Sequence, residues 1–327
     1  MTEGALPLVW VLTDGKAGDE QPLIGLAEAM GVTPVVRRLT PRRPFTWLMP
    51  WGPIDPKDAP SKPGSPFAPP FPDICLATGR RAVPYLRELK ALSPNTFCVL
   101  FKDPRTRRHG ADLLIVQQHD APRGENVLVV TTAPNRLSRE RLAQAHAAFA
   151  ERLAPLPRPR IAVLVGGDSR HHRFTEADSA RLIRGLETKL EDGGALMITP
   201  SRRTPASLAK ALDGLGKRPL VHFWNGSGEN PLLAYLAWAD EIVVTADSTN
   251  MVGEAAALGV PVQIFYPSGG HAKFERFLAA LSEEAALGRF PEAPANARRA
   301  PVNSTPGLAE KILTRWRYLR ARPARPS

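Results

Sequence analysis

Apolar residues in this chain come in short, nearly unbroken runs, each followed by a polar loop and then a stretch where apolar residues recur every three or four positions. That alternation predicts βα units around parallel sheets. A strand covered on both faces is apolar throughout, whereas the helix covering it shows a single apolar stripe. In the first half, LVWVLT, PVVRRL, DICLAT, FCVLF, LLIVQ and VLVV read as strands. The first helix has Pro22 in its first turn, Leu23, Leu26, Ala27 and Met30 on one face, and Gly31 as its stop. Helical spacing also follows Pro84 and runs from Ser138 to Leu153.

APLPRPR, residues 154–160, is proline-rich and without apolar period, which predicts a linker. The alternation then restarts with IAVLVGG, a helix after Thr175, ALMITP, a helix after Thr204, LVHFW, PLLAYLAWA, EIVVT, the MVGEAAAL helix and VQIF. The expected fold is therefore α/β, with two Rossmann-like domains of parallel sheet facing across a cleft. Their predicted extents are residues 1–155 and 156–305, with a C-terminal helix and basic tail over 306–327 packing back on the first domain. Residues 41–72 break the pattern: they hold eleven of the 34 prolines, with Phe45, Trp47, Trp51, Phe67 and Phe71 among them and Arg37, Arg38, Arg42 and Arg43 at the entrance. So many prolines predict a long loop or lid. It is either a poorly ordered insertion or an apolar, cationic surface for an amphiphilic acceptor or an anionic membrane.

Composition adds a direction. A formal net charge of +11 favours anionic partners. Dispersed arginines and the basic tail account for that charge, and no recognition motif points to specific nucleic acid binding. Cys75 and Cys98 lie inside apolar runs and read as buried, reduced thiols. No run approaches the roughly 18 residues of a membrane span, and no signal peptide is recognisable at the start, which predicts a cytoplasmic protein, peripheral at the inner membrane face if it meets membrane at all.

In open parallel sheets ligands bind beyond the carboxyl ends of strands, so the candidate chemistry is sought there. After the first strand comes TDGKAGDEQ, a glycine turn into a helix N-terminus suited to phosphate or developing negative charge, with Gly15, Lys16 and Gly18 in the turn. It is neither a dinucleotide fingerprint nor a Walker A loop, which disfavours a dinucleotide-using epimerase. Gly79 and Arg80 end the third strand. In the second half Gly167 follows IAVLV, and Ser201, Arg202 and Arg203 follow ALMIT, where the guanidinium forks match the oxygens of a diphosphate. Neighbouring His171 and His172 point opposite ways in an extended chain. With no Asp-x-Asp or His-Glu-x-x-His, no metal ligand set is expected and no cofactor beyond a nucleotide-sugar co-substrate. Ser169, Ser201 and Ser248 lack a nucleophile elbow. Glu254 sits on the helix after EIVVT with no capping role. It is either a solvated helix residue or an acceptor for both hydroxyls of a ribose whose phosphate meets the N–H groups of Ser248 to Asn250.

LTDGKAGDEQPLIGLAEAMG, TGRRAVPYL, KDPRTRRHGADLLIVQQHD, VLVGGDSRHHRFT, ITPSRRTP, the run from FWNGSGENP to GVPVQIF, and GHAKFERF together resemble the mitochondrial fission ELM-type family, which has many bacterial members. The resemblance implies a GT-B glycosyltransferase architecture. S-x-x-x-x-x-E followed by A-x-x-x-G-x-P is also similar to the donor site of the enzyme that glycosylates lipid-linked peptidoglycan precursor. Carried over, it implies Ser248, Asn250, Met251 and Glu254 for nucleotide, and Gly270, His271, Lys273 and Phe274 for donor sugar or diphosphate. The N-terminal glycine turn would then face acceptor and reaction centre. The family usually has His where this chain has Asp19, so Asp19 or Asp14 would have to take the acceptor proton. Two functions follow as expectations: a metal-independent glycosyltransferase using a nucleotide-diphosphate sugar and a membrane-associated acceptor, or a non-catalytic membrane or protein-interaction adaptor.

Overall fold

The computed structural model describes residues 6–120, 124–295 and 297–321, so the last six residues of the basic tail lie outside the described residues. The chain folds into two compact units, the first running to Arg136 and resuming at Ser304, the second spanning Leu137–Asn303. The first unit begins with β1 (Val9–Thr13), α1 (Ala17–Ala29), β2 (Val35–Arg38), α2 (Arg43–Leu48), β3 (Ile74–Thr78), α3 (Ala82–Leu92), β4 (Phe97–Phe101), β5 (Leu113–Gln117) and β6 (Val127–Val130). All six strands pair in parallel, in the order β2-β1-β3-β4-β5-β6. The strand period of two decides which residue meets which layer. Val9 and Val11 face Leu23 and Leu26 of α1, while Trp10 and Leu12 face Tyr85, Leu86 and Leu89 of α3. α1 starts five residues ahead of Pro22, which lies inside the helix. Cys75 and Cys98 are free and buried in adjacent strands, where burial pushes the Cys98 thiol up to about 12.

Beyond the short α2, residues 41–72 form the long loop expected, but it packs down as part of the core and is not a lid. These residues pack against the α3 face of the sheet and take the place of the helix that would normally cross from β2 to β3. Met49 and Phe67 are fully buried there, and the Phe67 ring lies 6.1 Å from Trp10 and 5.7 Å from Tyr85, both edge-on. Polar anchors complete the seam. Buried Asp55 accepts from Arg42 Nη2 at 2.6 Å and from the Arg42 and Lys57 backbone N–H groups, and the Tyr85 hydroxyl donates to buried Asp58. Prolines suit this segment because it needs a fixed, non-helical path with few backbone donors to satisfy.

The second unit contains α4 (Arg139–Ala148), α5 (Ala150–Leu153), β7 (Arg160–Val165), β8 (His172–Arg173), α6 (Glu176–Glu191), β9 (Ala195–Pro200), α7 (Ala206–Leu215), β10 (Val221–Phe223), α8 (Leu232–Trp238), β11 (Glu241–Thr245), α9 (Thr249–Ala256), β12 (Val262–Phe265), β13 (Ser268–Gly269), α10 (Ala272–Glu284) and β14 (Leu287–Phe290). Its six-stranded sheet is parallel in the order β10-β9-β7-β11-β12-β14. Leu182, Leu186, Leu208 and Leu212 of α6 and α7 cover one face. α8, α9, α10 and the α4–α5 pair cover the other. α6 begins with a full capping box, Thr175 with Asp178.

The stretch Ser138–Leu153 belongs to this second unit. Its His146 ring stacks on Trp238 of α8 at 3.8 Å, and the Trp238 indole N–H donates to the His146 carbonyl at 3.0 Å. The units therefore divide at Arg136/Leu137, ahead of the linker placed at 154–160 by composition. That stretch is itself pinned, with Asp240 accepting from the Arg160 backbone N–H at 2.9 Å and pairing with Arg158. Beyond Asn303 the chain forms α11 (Thr305–Ala321), whose Leu308, Ile312 and Trp316 pack in the α1 layer of the first unit. Among the described residues, no helix is long and apolar enough to cross a membrane.

If the proline-rich segment is part of the core, Phe67→Ala should cost about 3–5 kcal/mol. Urea denaturation should show that loss as a lower midpoint with an unchanged slope; a loss under about 1 kcal/mol would mean that the segment only rests on the sheet.

Candidate functional site

The strand order of the second unit creates a site by topology. From β7 the chain steps outward through β9 to β10, then returns to place β11 on the other side of β7. Loops leaving the carboxyl ends of β7 and β11 turn to opposite faces, and a crevice opens between them. A pocket of about 590 Å³ occupies this edge, lined by the ends of β7 and β9, the Trp224–Gly226 loop after β10, the start of α8, and Met251 and Glu254 of α9.

α9 is built to bring Glu254 here. The Ser248 hydroxyl caps it by accepting from Met251 N–H at 3.4 Å. Val252, Gly253, Ala255 and Ala256 are buried against β11 and β12, and their small size lets the helix lie close. Glu254 then faces the pocket. Its carboxylate accepts no hydrogen bond from the described residues, and burial alone pushes its pKa up to about 7. Trp224, in the same lining, is braced: its indole N–H donates to the Ser227 carbonyl at 2.7 Å, and Asn225 Oδ1 accepts from Ser227 N–H at 3.0 Å and from its hydroxyl at 2.6 Å. An aromatic side chain and an unpaired carboxylate thus share one cavity, with Arg202, Asn225 and Asn230 also in its lining.

The loops behind the pocket are tied by a residue that the sequence reading passed over. The Asp247 side chain is fully buried. It accepts from the Thr245 hydroxyl at 2.6 Å, from Gly167 N–H at 3.2 Å and from Arg203 Nη2 at 2.7 Å, while Arg203 Nη1 donates to the Asp168 carbonyl at 3.2 Å. One carboxylate therefore fastens the loops after β7, β9 and β11. The approach is so close that a Cβ on Gly167 would lie 1.9 Å from the Arg203 carbonyl oxygen. Arg203 is consequently a structural cation, and the Gly167 N–H is engaged. Arg202 is the guanidinium that lines the pocket, next to Ser201, whose hydroxyl accepts from Arg203 N–H at 3.1 Å.

The remaining nucleotide-side candidates fall elsewhere. Asn250 stands outside the pocket lining, as do Gly270, His271 and Lys273. Those three follow a two-strand ribbon in which β13 pairs with β8. Gly270 N–H donates to the His171 carbonyl at 2.8 Å, the His171 and His271 rings lie 4.3 Å apart, and His271 caps α10 by accepting from Lys273 N–H at 3.1 Å. Phe274 is buried in the core beside Phe277.

In the first unit, Gly15 (φ +82°) lets the chain turn sharply from β1 into α1. Asp14 is clasped by Lys16 Nζ at 2.7 Å with Arg81 at 3.7 Å. Burial pushes its carboxyl up, but the Lys16 hydrogen bonds and the two cations outweigh it and hold the group below the usual carboxylate range. Asp19 is ion-paired with Lys102, itself in the left-handed region at φ 75°. Gly79 (φ +78°) leads into exposed Arg80 at the end of β3.

Two parallel six-stranded sheets, one with a ligand-sized crevice at its switch point, define an α/β protein of the GT-B kind, built from two Rossmann-like domains. Solved structures share the fold. A UDP-GlcNAc 2-epimerase from Methanocaldococcus jannaschii matches 95% of this chain and 99% of its own with TM-score 0.53 at 13% identity. Arabidopsis thaliana UGT89C1 complexed with UDP matches 94% and 90% with TM-score 0.51 at 14% identity. Residues 17–316 match the family described as Mitochondrial fission ELM1, and the chain belongs to that family. It is 28% identical over 244 residues to the Arabidopsis thaliana mitochondrial fission protein ELM1, covering 67% of this chain and 57% of that one. It is 30% identical over 177 residues to the uncharacterized protein RP120 of Rickettsia prowazekii (strain Madrid E), covering 51% and 48%. The match thus spans about half the length of these relatives.

The Glu254 environment has a pH consequence. Below the ordinary carboxylate pKa the group is protonated in both folded and unfolded chains and contributes nothing. As pH rises from 4.5 to about 7 the unfolded chain ionises first, so folding stability is lost and the full penalty is present above about 7. Glu254→Gln should therefore match the wild type at pH 4 and be more stable at pH 8, on the order of 3 kcal/mol. Equal stability at both pH values would mean that the carboxylate is solvated.

Proposed function

We propose that the protein is a metal-independent glycosyltransferase of the GT-B type that uses a nucleotide-diphosphate sugar, with an acceptor presented at a membrane surface. The single observation that carries this reading is Glu254, without a hydrogen-bond donor among the described residues, lining a pocket of about 590 Å³ together with a braced Trp224. A buried carboxylate without a donor is costly, and the cost is recovered when a ligand brings hydroxyl groups. A vicinal diol such as a ribose brings two. The base would lie against Trp224, the pentose on Glu254, and the diphosphate toward Arg202 and the N-terminus of α9.

In the reaction, the bond from the sugar's anomeric carbon to the diphosphate oxygen breaks, and its electron pair leaves with the nucleoside diphosphate. The acceptor hydroxyl oxygen forms the new bond and gives up its proton. Arg202 and the helix N-terminus meet the charge growing on the leaving group, a task that the absent Asp-x-Asp motif would give to a metal elsewhere. Asp19 is the first unit's candidate for the proton. Asp14, held in its ionised form by Lys16, is the other candidate.

The same pocket would suit a nucleotide-sugar epimerase, which needs no acceptor. An adaptor role is favoured by the family itself, named for mitochondrial fission, and it requires no nucleotide at all. A thermal-shift screen over UDP, GDP, ADP and CMP sugars, repeated with EDTA, separates these readings. A nucleotide-sugar enzyme should be stabilised by one base class, with protection lost in Glu254→Ala and affinity lowered about tenfold or more in Trp224→Ala. Release of nucleoside diphosphate only when acceptor lipid is added would assign a transferase. No protection by any nucleotide would leave the adaptor.

A further inference from the structure

The first unit displays an apolar surface that its own core does not use. Trp47, Leu48 and Trp51 are 73%, 54% and 66% exposed, while Met49 between them is fully buried. The display is fixed by the backbone. α2 runs to Leu48, and the turn continues with Trp51 and Gly52 N–H groups donating to the Leu48 carbonyl at 2.9 and 2.8 Å. Arg87 Nη2 of α3 then donates to the Trp51 carbonyl at 3.0 Å. Arg43 and Trp47, four residues apart, share one face of α2, and Trp51 stands exposed on the turn that follows it. Two indoles and a leucine held outward together mark a contact surface, whereas single exposed apolar side chains need no explanation.

Charge identifies the partner. Residues 37–72 contain six cations and only two carboxylates, Asp55 and Asp58. Both carboxylates are buried, one bonded to Arg42 and the other to Tyr85. Of these cations Arg38 pairs with Glu20, Arg42 with Asp55, and Arg37 packs over the Trp10 ring, so the segment's solvent side presents exposed Arg43 and Lys62 with the aromatics and no exposed carboxylate of its own, on a chain whose formal charge is +11. Tryptophan prefers the boundary between hydrocarbon and water, and basic side chains beside it meet lipid phosphates.

We propose that this face docks the protein on an anionic lipid bilayer, with Trp47, Leu48 and Trp51 entering the interfacial layer and Arg43 meeting the headgroups. This names the surface behind the membrane part of the function proposed above, and it does not depend on the nucleotide pocket. A protein partner would instead call for charged residues of both signs around the aromatic centre.

The test is co-sedimentation of the full chain with vesicles of pure phosphatidylcholine and of phosphatidylcholine with 30 mol% phosphatidylglycerol. The protein should bind the anionic vesicles and release as salt rises, with little binding to neutral ones. W47S/W51S should weaken binding about tenfold or more, and Arg43→Glu about fivefold or more. Both substitutions lie at exposed positions, so thermal stability and any nucleotide protection should stay at wild-type values, which separates failure of docking from failure of the pocket reading. Equal binding by W47S/W51S and wild type, or equal binding to neutral and anionic vesicles, would overturn the proposal. So would concentration-dependent self-association through this face with no vesicle binding.

Discussion

The pocket edge of the second unit depends on one buried carboxylate. Asp247 leaves the end of β11 and collects Thr245, the Gly167 N–H and Arg203, drawing three loops from three strands into one fixed arrangement. A buried charge is tolerated only when its acceptor sites are used, so these partners are obligatory. The glycines at 166 and 167 follow from the same constraint, because a Cβ at either position would strike Asp247 or the Arg203 backbone. With those loops fixed, the walls of the pocket stand still, and the unpaired Glu254 becomes a feature of the site itself.

Asp247 and Glu254 are the two carboxylates that follow β11, and their surroundings give them opposite roles. The first is saturated with donors and acts as structure. The second lines the pocket and accepts no hydrogen bond from the described residues, and desolvation drives it toward neutrality. Groups poised near neutral pH in a cavity are characteristic of binding and catalytic sites. Arg202 and Arg203 divide in the same way: adjacent in sequence, one lines the pocket and the other is committed to the framework.

Much of this was legible in the sequence. The strands were readable because a parallel strand buried on both faces is an unbroken apolar run, and Glu254 stood out because its helix offered it no local partner. The role of Asp247 was not readable, since its partners lie 44 and 80 residues away in the chain. The proline-rich segment misled for a related reason. Its burial is irregular, carried by Met49, Phe67 and two carboxylates with no period, so composition suggested a lid where packing makes a core layer. Likewise, the amphipathic stripe of Ser138–Leu153 announces a helix but not which sheet it serves. The short ribbon of β8 and β13 and the edge strand β14 are too brief or too polar to signal themselves.

The central claim is that Glu254 is a desolvated carboxylate waiting for hydroxyl donors. Its pKa can be followed directly, by carboxyl-carbon NMR titration of the glutamate-labelled protein with Glu254→Gln as the assignment control, without and with saturating nucleoside diphosphate. The account predicts a midpoint near 7 for the free protein and a fall of at least about one pH unit once ribose hydroxyls donate to the carboxylate. A free-protein midpoint in the ordinary range near 4.5, or one near 7 that nucleotide leaves unmoved, would contradict it.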